Sequence, residues 1–219
     1  MAPTAPSDVY FGAYVRFETP SKKDGAVLAG PDIAVGDIGQ VVMDVDEHKH
    51  PRAWLKNPYG KTFAFLGVGD SRKAALLQAK GWTLRYVMSF TAYSESPDPG
   101  VYWGQVALIA CAPRYEEAFG AWLKLFAARA AEGLRPDPSL NAANLSAVLR
   151  DPSSWQPNGK VKIPKGDGRT AILKDHRTAH DKLLDKSRSR NVGCYIVSWA
   201  FILGVVALAA YAAHMLGLF

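Results

Sequence analysis

The chain is predicted to be an α+β protein: a small β-barrel or ferredoxin-like soluble domain, followed by an extended strap and one C-terminal transmembrane helix. Three observations predict this class. Short β-type runs separated by turn residues fill positions 13–66, and a helix–hairpin–helix pattern follows over 71–132. The last 28 residues, Val192–Phe219, contain no Asp, Glu, Lys or Arg, and about 20 apolar residues are enough to span a bilayer.

The first part of the chain has the pattern of four short strands. Runs rich in β-branched and aromatic residues cover Ala13–Glu18, Gln40–Val45, Arg52–Lys56 and Lys61–Leu66. Asn57–Gly60, with proline in second position, predicts the turn between the last two runs. Strands of this length favour a small barrel, because closure removes the unpaired edges of a sheet.

The second of these strands follows a Gly-Asp-x-Gly turn. Gly36-Asp37-Ile38-Gly39 leads into Gln40-Val41-Val42, with Val15-Arg16-Phe17 before it and Arg52-Ala53-Trp54-Leu55 after it. This order over residues 13–66 resembles SH3-like barrel modules, such as the KOW-type modules, the NifZ-type accessory proteins and the stromal SH3-like subunit of photosystem I. The resemblance implies a binding or docking module rather than a catalytic domain, and it assigns no functional residue.

The region that follows has a different periodicity. Ser71–Lys80 has a short helical pattern, and Trp82–Tyr93 and Val101–Ala112 are long β-compatible runs joined by a loop. Tyr115–Glu132 is amphipathic at helical spacing. Helix, hairpin and helix form the middle of a ferredoxin-like unit, for which Lys61–Leu66 would supply the first strand. The barrel and the ferredoxin-like sheet compete for that strand, and both remain open.

Prolines become frequent after residue 135. A short helix is predicted over Asn141–Arg150, and the residues around it are interrupted at Pro136, Pro138, Pro152, Pro157 and Pro164. The region 136–170 is interpreted as an extended strap that lies along a partner or a membrane surface. Residues 171–190 are predicted to form a basic juxtamembrane helix that leads into the anchor.

Basic residues precede the uncharged segment. Lys182, Lys186, Arg188 and Arg190 are predicted to lie at the membrane surface against anionic lipid headgroups. Because cationic flanks remain on the side from which a segment inserts, residues 1–190 are expected on the matrix or cytosolic side. A mitochondrial inner membrane is favoured slightly over a bacterial inner membrane.

The predicted anchor, residues 191–219, carries small residues at helical spacing. Gly204, Ala207 and Ala210 are the centre of this pattern. Small side chains let helices approach closely within a membrane. We therefore expect these three residues to pack against the helices of other subunits in a membrane protein complex.

Net charge limits the classes of partner that are expected, and cysteine content limits the expected compartment. The net charge is +6, and much of the excess falls between Lys160 and Arg190, beside the predicted anchor. No interleaving of aromatic and basic residues marks a nucleic-acid-binding face, so no nucleic-acid partner is predicted. The two cysteines, Cys111 and Cys194, are too few for a disulfide framework, which fits a reducing compartment or a mitochondrial matrix.

Candidate chemical groups are few. His176 and His180 stand one helical turn apart, but two histidines supply at most half of a tetrahedral zinc shell. Cys111 has apolar neighbours, which is typical of an inert thiol. We therefore predict no metal, no other cofactor and no catalytic residue. Contact of the two histidines, or of His214 in the anchor, with a metal, haem or quinone stays open.

These observations predict a non-catalytic accessory subunit of a multi-subunit, energy-transducing membrane complex, of the respiratory, ATP-synthase or photosynthetic kind. The alternatives are a tail-anchored small-molecule-sensing module and, third, a membrane-tethered enzyme. Five segments are predicted in total: a β-rich SH3-like module over 1–69, a ferredoxin-like half over 70–135, the strap over 136–170, the basic helix over 171–190 and the anchor over 191–219.

Overall fold

Seven strands and four α-helices are the main regular elements of the described residues. The computed structural model describes residues 8–46, 49–96, 98–157, 159–164, 169–179, 181–183, 201–203 and 205. Its strands are β1 Tyr10–Glu18, β2 Ile38–Val45, β3 Pro51–Lys56, β4 Thr62–Leu66, β5 Thr83–Ser94, β6 Val101–Cys111 and β7 Thr170–Lys174. Its α-helices are α1 Lys22–Gly25, α2 Val68–Ala79, α3 Glu116–Ala131 and α4 Ala142–Arg150, with short 3-10 turns at Ala26–Leu28, Pro113–Tyr115 and Pro152–Ser154.

The strands form a sheet that closes on itself. In the order β2-β3-β4-β1-β6-β5 every neighbouring pair is antiparallel. β2 also pairs with β5, where Ile38 lies opposite Val87 and Gln40 opposite Arg85. Six strands therefore make a barrel, and closure removes most of the unpaired edge. The seventh strand, β7, pairs with the second half of β5.

This closed sheet corrects the predicted fold class. Residues 13–66 do not form an SH3-like barrel of their own, and no separate ferredoxin-like sheet follows them among the described residues. β1 pairs with β6 over nine residue pairs but with β4 over two. The reason is length: β5 has twelve residues and β6 eleven, so their hairpin supplies the apolar surface that the shorter strands lack. The contested strand, β4, lies between β3 and β1.

The strands and helices themselves match their sequence patterns closely. The four predicted N-terminal strands, the long hairpin and the helices near 71–80, 115–132 and 141–150 are all confirmed. The predicted turn is present at Asn57–Gly60, where the Gly60 N–H donates to the Asn57 carbonyl over 2.9 Å. Gly60 has a φ of +81°, which a glycine adopts without strain.

One face of the strands lines the interior of the barrel. Inward residues of β1 and β6 include Val15, Phe17, Val106 and Leu108, and each is at most 5% exposed. These residues alternate with outward ones along both strands, as the pleat requires. The interior is therefore one apolar core. It combines strands from two segments that the sequence analysis predicted as separate, 1–69 and 70–135.

A second core covers the outer face of the same strands. Val87, Ala107 and Ile109 face outward and are buried under α3, whose Phe119, Trp122 and Phe126 are at most 2% exposed. The helix ends at Gly133, which has a φ of +81°. The N–H of Gly133 donates to the Ala130 carbonyl and that of Leu134 to the Arg129 carbonyl, a Schellman motif that fixes where the chain leaves the helix.

The region predicted as a strap contains both helix and extended chain. Asn141 caps α4 by accepting the N–H of Asn144 over 2.9 Å. The extended part lies along the chain's own backbone: the Val161 N–H donates to the Arg135 carbonyl, and the Asp137 N–H donates to the Gly159 carbonyl. The strap is thus hydrogen-bonded to residues 135–137 of the same chain.

The predicted basic helix over 171–190 is wrong at its start. Thr170–Lys174 forms β7, which pairs with β5 so that Ile172 lies opposite Ala92. The second half of β5 offers backbone hydrogen bonds on the side away from β6, and this pairing outweighs the helical preference of Ala171, Leu173 and Lys174. After β7 the chain is clamped, because the Lys174 ammonium donates to two carbonyls and the Arg177 guanidinium pairs with the Asp37 carboxylate.

The chain divides into two compact units, residues 1–177 and residues 178–219. In the second unit, Thr178 and Asp181 exchange side-chain to backbone hydrogen bonds at the start of a helical stretch. No helix among the described residues is long and apolar enough to cross a membrane. The transmembrane helix of the predicted fold class is therefore not found among the described residues, and most of the predicted anchor, 191–219, lies outside them.

Candidate functional site

A cavity of about 200 Å³ lies between α3 and the outer face of the barrel. The long hairpin supplies Thr83, Arg85, Ile109 and Cys111, and β2 adds Ile38. Thr83 lies opposite Cys111 and Arg85 opposite Ile109 in the β5–β6 pairing. Directly opposed residues share one face of a sheet, so the register brings these four side chains together.

The α3 helix supplies the other wall through two rows of residues. Phe119 and Leu123 are four residues apart and are 2% and 6% exposed. Glu116, Gly120 and Lys124 form the adjacent row at the same spacing. Gly120 contributes no side chain, and a Cβ placed there would meet no atom within 4 Å. Gly120, at the centre of this row, therefore leaves open space in the cavity wall.

Cys111 is an ionisable group in the floor of the cavity. Burial raises the pKa of its thiol to about 11, the Glu116 carboxylate acts in the same direction, and Arg85 opposes both. The thiolate is the nucleophilic form, so at neutral pH this thiol is unreactive. The result agrees with the apolar neighbours of Cys111 in the sequence, and it gives the cavity an apolar rather than a catalytic floor.

Charged side chains stand at the edge of the cavity. A guanidinium nitrogen of Arg85 lies 3.9 Å from a carboxylate oxygen of Glu116, and the two side chains are 41% and 54% exposed. An exposed pair at this distance contributes little to stability. Lys124 is exposed in the same row. Two cations and one anion therefore give the rim a net charge of +1.

A second depression lies between α1 and strands β3 and β4. It holds about 400 Å³ and is lined on one side by Trp54 and Phe63 and on the other by Lys23, Asp24 and Val27. The indole N–H of Trp54 is buried and has no hydrogen-bond partner among the described residues. The cations and the carboxylate of this groove are exposed, and its apolar wall consists of the buried Phe63 and the half-buried Trp54.

Arg135 is the most deeply buried charged side chain of the described chain, at 3% exposure. Its guanidinium donates to the Ser89 hydroxyl over 2.7 Å, to the Gln105 side-chain oxygen over 2.9 Å and to the Val161 carbonyl over 3.2 Å. It also stacks 4.2 Å from the centre of the Tyr14 ring. Burial lowers the pKa of Arg135. These contacts fasten the strap to the outer face of the barrel.

The residues predicted to act at the membrane fall mostly outside the described part of the chain. Lys182 is described, in the helical stretch 181–183. Neither the other three predicted membrane-surface residues nor the predicted helix-packing residues are described; these are Lys186, Arg188, Arg190, Gly204, Ala207 and Ala210.

The histidine pair is likewise described only in part. His176 lies in a bend after β7, and its Nδ1 atom is 2.6 Å from a carboxylate oxygen of Asp175. His180 and His214 lie outside the described residues. Where the structure describes the chain, no group of three or more His, Cys, Asp or Glu residues is placed to hold a metal ion.

Sequence reasoning missed the cavity and the buried arginine. The i, i+4, i+8 spacing of Glu116, Gly120 and Lys124 was a visible signal, since a glycine inside an amphipathic helix lowers its stability. Arg135 sits between a helix end and a proline and carries no comparable signal. Its role depends on Ser89 and Gln105, which are far away in the sequence.

Comparison with protein families, with curated proteins and with solved structures gives no match.

Proposed function

We propose that the chain is a non-catalytic accessory subunit of a multi-subunit membrane complex. The observation that carries the proposal is the distribution of charge along the sequence. Val192–Phe219 contains no Asp, Glu, Lys or Arg, and Lys182, Lys186, Arg188 and Arg190 precede it. A long uncharged segment next to a basic one favours contact with lipid, the basic residues with anionic headgroups.

The organisation of the folded unit supports the same proposal. Residues 1–177 form one compact unit, and residues 178–219 form another. The first unit ends in a clamp, where Arg177 donates to the Val35 carbonyl and pairs with Asp37. Because its last residues are fastened to its own core, the domain can stay folded when the segment that follows holds it in place. This suits a module held at a membrane.

The functional class is tested by following the protein into a complex. Mild detergent extraction and a native gel should show the full chain migrating with a much larger assembly. Replacing Gly204, Ala207 and Ala210 by Leu should release it from that assembly while it stays with the membrane fraction, because close approach of small residues is a main source of packing in lipid. Migration of the wild-type chain as a monomer or dimer would contradict the proposal.

A matched control separates packing from bulk hydrophobicity. On a helix of 3.6 residues per turn, Ala209 and Ala212 would fall on the side opposite Gly204, Ala207 and Ala210. Their replacement by Leu adds similar apolar surface and should leave the chain in its assembly. If both sets of substitutions release the chain, added volume rather than the proposed packing surface is responsible, and the assignment of Gly204, Ala207 and Ala210 fails.

The cavity under α3 favours a second candidate function, that of a small-molecule-sensing module. An apolar floor with a few charged groups at the rim is the usual composition of a ligand pocket. Gly120 leaves this space open although an alanine would stabilise the helix. Binding of any small ligand at this place, abolished when Gly120 is replaced by Leu, would support the sensing function. Its complete absence would remove it.

A further inference from the structure

We infer that the cavity between α3 and the barrel binds a small apolar carboxylic acid, with its hydrocarbon part inside and its carboxylate at Arg85. The inference rests on the proposed sensing function and names the class of ligand for it. It is argued from three features of the cavity: the size and polarity of its floor, the charge of its rim and the absence of a side chain at position 120.

The floor fits a short hydrocarbon chain. Ile38, Ile109, Phe119 and Leu123 line it, and Cys111 adds a protonated thiol that behaves as a small apolar group. The volume of about 200 Å³ corresponds to roughly seven waters at their share of liquid volume. A six-carbon acid, with eight non-hydrogen atoms, is of matching size. Displacing water from such a floor by apolar atoms is favourable.

The rim selects a negative charge. Two cations, Arg85 and Lys124, and one carboxylate, that of Glu116, line the cavity, and Arg85 is the cation paired with Glu116. The Arg85–Glu116 separation of 3.9 Å exceeds the 2.7 to 2.9 Å of a charge-assisted hydrogen bond. The pair therefore leaves guanidinium donors for a second carboxylate. A guanidinium binds a carboxylate through two parallel N–H donors, which also fixes its orientation.

The missing side chain keeps the cavity open. Gly120 lies in the first half of α3, and its φ is not in the left-handed region. No neighbouring atom approaches closely enough to exclude a side chain there. Neither backbone conformation nor crowding therefore requires a glycine, and glycine is the poorest helix former apart from proline. The absent side chain leaves this stretch of the cavity wall open.

The test compares three probes of equal chain length on the full chain in lipid nanodiscs. Hexanoate, hexanol and hexylamine are followed by saturation-transfer NMR, with empty nanodiscs as the blank. Hexanoate is expected to bind at least tenfold more tightly than hexanol, and hexylamine more weakly than both. Equal binding of hexanoate and hexanol would overturn the carboxylic-acid assignment while leaving the sensing function in place. No binding of any probe would overturn both.

Three variants locate the site. Gly120→Leu fills the cavity and should abolish binding of hexanoate and hexanol alike. Gly69→Leu is the matched control, because Gly69 is also helical, also has nothing within 4 Å of its Cβ position, and lies in α2 away from the cavity. Arg85→Gln should reduce hexanoate binding tenfold and leave hexanol unchanged. This exposed substitution keeps the test valid if Gly120→Leu fails to fold, and undiminished hexanoate binding to it would contradict the inference.

Discussion

The two faces of β6 solve the same burial problem in different ways. Val106, Leu108 and Ala110 point into the barrel, and each is fully buried. Ala107, Ile109 and Cys111 point outward and are at most 6% exposed, yet the last two border a cavity. Inside, hydrogen-bonded strands fix the distances between opposing side chains. On the outer face, the position of α3 sets the distance between helix and sheet. The side chains of α3 decide whether the space between them is filled.

A single residue without a side chain, Gly120, can leave open space on the outer face without disturbing the sheet. A closed barrel must be filled to the density of a crystal, because empty space inside it costs stability. The layer under α3 tolerates a gap, since Phe119, Trp122 and Phe126 already hold the helix in place. The outer layer is therefore where a binding function can be accommodated.

The largest expected difference between the two faces is in leucine truncation. Leu108→Ala, inside the barrel, should lower the free energy of unfolding by about 4 kcal/mol, because the strands around it cannot collapse into the void. Leu123→Ala, beside the existing cavity, should cost about 2 kcal/mol, since part of its surface already lacks contacts. Urea unfolding measures both. An equal or larger loss for Leu123→Ala would remove the distinction between the faces.

A second test concerns the polar attachment of the outer layer. Arg135→Met should lower the free energy of unfolding by about 2 kcal/mol, because it leaves the Ser89 hydroxyl and the Gln105 side chain without their donors. Arg129→Met is the control: its pair with Glu132 is exposed and should be worth about 0.5 kcal/mol or less. Similar losses for the two variants would show that the strap is not fastened by Arg135.

Smaller effects of opposite sign are expected at two glycines of the same helix. Gly120→Ala should raise the free energy of unfolding by about 1 kcal/mol, the difference in helix propensity, because its Cβ enters open space. Gly133→Ala should lower it by about 1 kcal/mol, since φ is +81° and the His176 Cβ lies 3.2 Å away. Thermal unfolding distinguishes them. Destabilisation by Gly120→Ala would mean that other atoms already occupy the space around the Cβ position of residue 120.

The sequence predicted local structure far better than it predicted pairing. The β-compatible composition of Val101–Ala112 and the 3.6-residue period in Tyr115–Glu132 are local signals, and both elements formed as expected. The pairing of β1 with β6 joins residues about ninety positions apart, and no local pattern encodes it. The same limit explains β7, because residues 170–174 become a strand only through pairing with the second half of β5.

The candidate site was predictable in part. The apolar surroundings of Cys111 and the amphipathic face of α3 follow from the sequence. Whether Gly120 faces a neighbour or an empty space depends on the height at which α3 crosses the sheet, which is set by Phe119 and Leu123 against Ile109. Sequence periodicity gives the face on which a residue lies but not the distance to what it faces.

A further expected effect concerns the pH dependence of stability at the cavity thiol. Burial raises the pKa of Cys111 to about 11, whereas an unfolded cysteine has a pKa near 8.5. The native state thus holds its proton where the unfolded state loses it. The stability contributed by the thiol is full below about pH 8.5 and is lost as the pH rises through about 11. A Cys111→Ala variant should therefore lose less stability over that range.

The alkylation rate of Cys111 reports the same pKa directly. In a Cys194→Ala background, the rate with iodoacetamide should rise about tenfold per pH unit from pH 8 to pH 10, because only the thiolate reacts. The urea-unfolded chain is the control, and its rate should level off near pH 9 as an ordinary thiol does. A native-state plateau near pH 9 would show that Cys111 is solvated like an exposed thiol. The floor under α3 would then be wet, and the contrast between the two faces of β6 would lie in polarity as well as in packing.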